Sequence, residues 1–187
     1  MQHLPNLITA SRLLLTVFLA ILLMFEQNTG MAFLSCLLFT IAAASDWVDG
    51  YLARRFKAVT TLGKLMDPLA DKMLVATALI MLIPLDRLPA WIALVILSRE
   101  MMVTGLRGLA SSSGIVVSAS DLGKIKSTLQ YIGLGILIFP LDLLPIPYLH
   151  QIGLAVLYVA LVLTVWSGLD YFYKLRQVFL VEEKEQL

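Results

Sequence analysis

The sequence predicts an all-α, polytopic membrane protein with six transmembrane helices and its active site at the cytoplasmic face. Three observations predict it. The 187 residues are 59% hydrophobic and only 14% charged, against about 25% charged in soluble domains. The charges are not spread evenly but leave long uncharged stretches between them. A membrane helix needs about 20 apolar residues, so the chain has room for six or seven spans and no second domain. Residues 1–187 are therefore read as one membrane unit.

The first helix is expected over about 5–25. Leu13 to Phe25 carries no charge, and Leu4 to Ser11 extends it apart from Arg12. No basic segment precedes this run and no small-residue cleavage pattern follows it, so it reads as a retained span rather than a secretory signal. The second helix, about 32–55, occupies the uncharged stretch from Gln27 to Ser45 and runs on past Asp46. The third and fourth, about 66–83 and 88–110, contain the apolar runs Met73–Leu85 and Leu88–Ser98. The fifth, about 125–140, is short and extends back through Lys124 if that side chain lifts its amine to the interface. The sixth, about 150–174, has His150 as its only ionisable group before Asp170. Turn residues fall between these runs: Asn28-Thr29-Gly30, Pro84 and Pro89, Ser111 to Gly114, and Pro140, Pro145 and Pro147.

Six spans put both termini on one side. Arg54, Arg55, Lys57 and Lys64 lie between helices two and three. Arg107, Lys124 and Lys126 flank the connection between four and five, and Lys174, Arg176 and Lys184 lie in the tail. The opposite connections offer only Arg87 beside Glu26, Asp86 and Asp142. Basic loops mark the cytoplasmic side, so both termini are expected there. The net charge of +1 supports no claim about acidic partners, and nucleic acid is not expected as one. Cys36 is the only cysteine, which excludes an intramolecular disulfide and leaves a small buried hydrophobe.

The chemistry concentrates between Asp46 and Lys72. Asp46 and Asp49 are spaced i,i+3, and Asp67 and Asp71 i,i+4, so each pair shares a helix face. The two helices are consecutive and antiparallel, which lets the pairs converge. An aspartate at a membrane-helix centre costs about 2.5–3.5 kcal/mol, so four cost on the order of 10 kcal/mol, less near the interface. A hard divalent cation offsets both this cost and the mutual repulsion, and all-oxygen ligands favour Mg²⁺, Mn²⁺ or Ca²⁺. Two ions suit four carboxylates. Gly50 and Ala53 near the first pair, and Gly63 before the second, allow a flat group such as a nucleobase to approach the backbone. Arg54 and Lys64 are placed to meet phosphates. Pro68 either starts a helix with Asp67 as its N-cap or lies inside one already begun. An ordinary interfacial charge explains any single aspartate, and an ion pathway is a rival reading of all four.

A second cluster lies on the fourth helix. Glu100, Thr104 and Arg107 share a face, with Arg99 about a quarter-turn away. With Lys124 and Lys126 they form a basic pocket suited to a phosphate, although basic loop residues also serve orientation alone. Asn6, Thr9 and Arg12 repeat at i,i+3 on the first helix and read either as an interfacial stripe or as further ligands of a phosphate-bearing substrate.

Asp46-x-x-Asp49-Gly50-x-x-Ala53-Arg54 followed by Gly63-x-x-x-Asp67-x-x-x-Asp71 resembles the defining motif of the CDP-alcohol phosphatidyltransferases, with every fixed position present. Leu4-Pro5-Asn6 with Thr9 and Arg12, Val103 to Arg107, Leu122 to Lys126 and the closing Trp166 to Tyr173 stretch resemble the branch that takes glycerol 3-phosphate as acceptor. Ser127 stands where that branch suggests threonine, and it keeps the hydroxyl.

The resemblance implies a six-helix homodimeric enzyme of the bacterial cytoplasmic membrane. It implies transfer of a phosphatidyl group from CDP-diacylglycerol to sn-glycerol 3-phosphate, giving phosphatidylglycerol phosphate and CMP. Two divalent metals, Mg²⁺ or Mn²⁺, would be held by Asp46, Asp49, Asp67 and Asp71, with Asp71 also the general base. CDP-diacylglycerol would meet Asn6, Thr9, Arg12, Gly50, Ala53, Arg54 and Gly63. Glycerol 3-phosphate would meet Arg99, Thr104, Arg107, Lys124 and Lys126. Another alcohol acceptor (inositol phosphate, serine or phosphatidylglycerol) is the runner-up, and a carboxylate-lined cation transporter the rival of a different class.

Overall fold

The computed structural model describes residues 4–26, 28–56, 61–112, 121–140, 143 and 146–185, and side-chain surroundings within 10–26, 28–45, 69–111, 122–140, 143 and 146–173. Among the described residues there are six helices and no strand: α1 Leu4–Met24, α2 Thr29–Phe56, α3 Thr61–Met81, α4 Ala90–Ser112, α5 Asp121–Ile138 and α6 Leu149–Glu185. The expected number and order are met, and the boundaries differ in instructive ways.

Asn28 starts α2 by accepting the Met31 N–H on Oδ1 at 2.9 Å, which satisfies one of the amides a helix start leaves open. α3 begins at Thr61, five residues earlier than expected, so Asp67 is not an N-cap. Pro68 lies inside the helix, where it removes the donor that the Lys64 carbonyl would otherwise receive. α3 ends near Pro84, and the turn beyond it carries Asp86 at φ 54°, a conformation aspartate tolerates better than most residues. α5 begins at Asp121 and includes Lys124, the longer of the two expected forms. α6 continues to Glu185 rather than stopping at 174. Its last turns are rich in Lys, Arg, Gln and Glu, which are good helix formers, so the loss of hydrophobicity marks the end of the apolar segment and not of the helix.

The core packs along the centre of the bundle. Leu19, Phe39, Leu74, Leu79, Ile92, Ile96, Leu134 and Leu157 are fully or almost fully buried. α5 and α6 approach most closely through two glycines. A Cβ on Gly133 would lie 2.7 Å from Leu157 Cγ, and one on Gly153 would lie 2.8 Å from Leu137 Cδ2. Such small residues let two helices close up where lipid tails offer no hydrophobic drive. Cys36 is half-buried in this packing, its Sγ 3.7 Å from the Gly135 carbonyl.

The outer surface is apolar too. Leu14, Phe18, Leu94, Met101, Val162, Trp166 and Leu169 are all more than half exposed. A water-facing monomer rarely shows such continuous apolar faces, whereas lipid matches them. Among the described residues one helix segment, Leu149–Tyr173, is long and apolar enough to cross a membrane, and α1 and α2 carry shorter apolar segments, Ala10–Met24 and Thr29–Ser45.

Candidate active site

Among the described residues the polar side chains gather at two levels of the bundle, and the larger gathering holds Asp71, Arg99, Thr104, Arg107 and Lys126 of the predicted site. α3 supplies Asp71 and Lys72 as neighbours. α5 supplies Lys126, Gln130 and Tyr131 within about a turn and a half. The Tyr131 hydroxyl donates to Asp71 Oδ1. The Tyr131 ring is itself held against Phe39 of α2, with centroids 6.0 Å apart and planes at 46°. Three helices therefore fix the direction of the Asp71 carboxylate.

α4 builds the basic part. Thr104 donates its hydroxyl to the Glu100 carbonyl at 2.6 Å, one turn back, and receives the Lys72 ammonium. Glu100 Oε1 accepts Arg99 Nη1 at 3.0 Å and also the Lys126 ammonium. Arg99 reaches in the other direction to α6, where Nη2 donates to Ser167 Oγ at 2.8 Å. Gly168 makes room for this: a Cβ there would lie 3.2 Å from Arg99 Cγ and Nε. Ser167 donates to the Thr164 carbonyl at 3.2 Å, and Gln130 Nε2 donates to Thr164 Oγ1 at 3.2 Å. Two turns along α4, the Arg107 guanidinium stacks 5.7 Å from the centre of the Tyr171 ring, a cation–π contact.

The structure thus brings Arg99, Thr104 and Lys126 together around Glu100, with Arg107 farther along the same helix. Lys124 is exposed whereas Lys126 is buried. At 100° per residue the two point to opposite sides of α5. Arg12 of α1 is fully buried, and its carbonyl accepts the Thr16 hydroxyl at 2.8 Å. Asp46, Asp49, Gly50, Ala53 and Arg54 lie on α2, Gly63 and Asp67 on α3, and Asn6 and Thr9 on α1; their side chains lie outside the described residues. The backbone keeps each aspartate pair within one continuous helix, which preserves the i,i+3 and i,i+4 register. Among the described residues no three His, Cys, Asp or Glu side chains cluster, and Asp71 is the one member of the quartet whose side chain is described.

Sequence reasoning gave no role to Lys72, Glu100, Gln130, Tyr131, Thr164 or Ser167. For Glu100 a signal existed, since a carboxylate inside an apolar helix needs a partner. For Tyr131 none did, because tyrosine is ordinary in membrane helices near an interface.

The chain matches the model of the CDP-alcohol phosphatidyltransferase family over residues 2–166. A Bacillus subtilis protein named CDP-diacylglycerol–glycerol-3-phosphate 3-phosphatidyltransferase is 43% identical over 188 residues, covering 93% of this chain and 95% of that protein. Proteins of the same name from Rickettsia typhi and Shigella flexneri are 40% and 35% identical. They cover 92% and 90% of this chain, and 96% and 92% of their own lengths.

Proposed function

The chain belongs to the CDP-alcohol phosphatidyltransferase family, and from that membership we propose that it transfers the phosphatidyl group of CDP-diacylglycerol to sn-glycerol 3-phosphate. The products are phosphatidylglycerol phosphate and CMP. The relatives' shared name supports the acceptor. The observation that carries it in this chain is the set of cations gathered beside Asp71, from Lys72 through Thr104 to Arg99 and Lys126.

The reaction forms one P–O bond and breaks another. The acceptor hydroxyl oxygen attacks the phosphorus that carries diacylglycerol, and CMP leaves with the bridging electron pair. Asp71 takes the hydroxyl proton, and the Tyr131 hydroxyl orients its carboxylate for that task. Arg99, Thr104, Arg107 and Lys126 hold the acceptor phosphate, with Lys124 at the rim of the pocket. Asn6, Thr9, Arg12, Gly50, Ala53, Arg54 and Gly63 receive the nucleotide and pyrophosphate.

Asp46, Asp49, Asp67 and Asp71 would hold two divalent cations, Mg²⁺ or Mn²⁺. The fit rests on the donor set: four hard oxygen ligands in two unbroken helices, joined by a short connection. When bound, the ions would neutralise the pyrophosphate and the departing CMP.

The exposed apolar faces and the one-sided basic loops support six membrane spans with both termini cytoplasmic, and the family membership supports a homodimer in the bacterial cytoplasmic membrane. α6 has 37 residues, about 55 Å of helix. Its charged end beyond Tyr173 projects about 18 Å past its apolar segment on the same side. A donor with two acyl chains then reaches a site at the membrane face, where a water-soluble acceptor also arrives.

Purified protein in detergent, given CDP-diacylglycerol, Mg²⁺ and labelled sn-glycerol 3-phosphate, should release CMP and carry the label into lipid. Chelation of the metal should abolish both. Release of CMP only with another alcohol would move the acceptor, and no release with any alcohol from folded protein would return the carboxylates to a transport role.

A further inference from the structure

The basic cluster is organised by a carboxylate that the transfer chemistry does not use. Glu100 Oε1 receives Arg99 Nη1 at 3.0 Å and the Lys126 ammonium, so side chains from α4 and α5 meet at one atom. Its backbone carbonyl receives the Thr104 hydroxyl at 2.6 Å, and Thr104 receives the Lys72 ammonium from α3. The far side of Arg99 is anchored on α6 by Ser167 at 2.8 Å. Cations from two helices, Arg99 of α4 and Lys126 of α5, therefore meet at one side chain, and Lys72 of α3 reaches the hydroxyl one turn along α4.

Stability alone does not account for this arrangement. Lys126 is 4% exposed, and an apolar side chain of similar size would fill that place at lower cost than a buried ion pair. The charges also do not cancel. Among the described side chains, four cations (Arg99, Lys126, Lys72 and Arg107) face two carboxylates (Glu100 and Asp71) and leave two positive charges over. That surplus is the complement of a phosphate monoester dianion, which charge-assisted hydrogen bonds from lysine and arginine recognise well. Removing the Glu100 carboxylate would set the cations against one another.

We propose that Glu100 is a positioning residue for acceptor recognition, holding Arg99 and Lys126 in register beside Lys72 so that the site accepts a phosphorylated alcohol and discriminates against an unphosphorylated one. The inference rests on the acceptor reading given above. Glu100 does not itself touch the reacting atoms; it acts through the cations it holds.

The test is a kinetic comparison of the full-length wild type with Glu100→Gln, Lys126→Met and the double variant, all in detergent with CDP-diacylglycerol and sn-glycerol 3-phosphate. Glu100→Gln should raise the KM for glycerol 3-phosphate about tenfold or more while kcat stays within about threefold and the KM for CDP-diacylglycerol is unchanged. The inhibition constant of inorganic phosphate, competing with the acceptor, should rise in parallel. Glu100→Asp should recover part of the loss. Because Glu100 acts through Lys126, the double variant should be little worse than the poorer single variant. An unchanged KM for the acceptor in folded Glu100→Gln, an equal rise in both KM values, or fully additive losses would each overturn the proposal. If Glu100→Gln does not fold, Glu100→Asp decides: it keeps the charge but draws it back from Lys126 and should raise the acceptor KM about threefold, and no change would overturn the proposal. Wild type that transfers nothing to glycerol 3-phosphate would instead overturn the acceptor reading, and the role of Glu100 with it.

Discussion

The two polar levels of the bundle use the same residue types to opposite ends. At the level of the α3–α4 turn, Arg87 Nη2 meets Glu26 Oε1 at 2.7 Å. Its Nη1 lies 3.4 Å from the Leu137 and Ile138 carbonyls at the end of α5. His150 Nε2 donates to the Arg87 carbonyl at 3.1 Å. One cation meets one carboxylate, and the remaining donors go to the carbonyls a helix end leaves open. At the other level, Glu100 is shared between Arg99 and Lys126, while Lys72 leans on a hydroxyl. A neutral ion pair, backed by helix-end carbonyls, locks four segments together. An unbalanced set, supported by hydroxyls, leaves charge for a ligand to complete.

Substitutions at the two levels should therefore separate activity from stability. The largest effect is expected at Asp71. Asp71→Asn keeps the shape and the contact with Tyr131 but removes the base, and turnover should fall about 10³-fold or more. Purified protein with unchanged thermal unfolding would show that the site was lost and not the fold. Comparable turnover in the variant would remove Asp71 from the reaction. At the opposite level, Glu26→Gln should cost about 1–2 kcal/mol of stability, because it leaves the half-buried Arg87 charge without its ionised partner. Thermal unfolding in detergent reads this directly, and kcat per folded molecule should not change. A fall in kcat with stability retained would break the division between the two levels.

How much of this was legible beforehand differs by level. The six helices were readable because charges and turn residues interrupt apolar runs, and Asn28, Pro84 and Pro140 fall where the helices stop or start. The end of α6 was not, since Lys174, Arg176 and Glu182 leave the apolar segment without leaving the helix. Arg99, Thr104 and Lys126 were readable as one pocket, from helical spacing and from charge inside apolar runs. Glu100 was seen on that face, but its partner Lys126 is on another helix, and only the fold brings them together. The same holds for Arg87 and Glu26, which read as ordinary loop charges until three connections are folded onto one end of the bundle. Spacing reports faces of one helix; it carries no information about which faces meet.

Arg107 tests how far the site extends along α4. Its guanidinium already has the Tyr171 ring as a partner, so it is positioned before any ligand arrives. Arg107→Ala should raise the KM for glycerol 3-phosphate about tenfold, and more than that for CDP-diacylglycerol. The reverse pattern would assign Arg107 to the nucleotide-bearing substrate and shrink the acceptor pocket to the Glu100 group.

The smallest effect should come from a pair of glycines, and it separates the two kinds of packing most sharply. A Cβ on Gly168 would press on Arg99 Cγ and Nε at 3.2 Å. A long side chain can yield by the few tenths of an ångström required, but it then loses its register with Ser167 and Glu100. A Cβ on Gly133 would instead meet Leu157 at 2.7 Å, deep in the α5–α6 contact. That leucine is fully buried and has no space to move into. Gly133→Ala should therefore cost about 1–3 kcal/mol of stability through overpacking with no change in either KM. Gly168→Ala should leave unfolding unchanged and raise the acceptor KM about twofold to threefold. If Gly168→Ala lowered stability and left the KM alone, the α4–α6 contact would be packing like the other, and Arg99 would owe its position to Glu100 without help from α6.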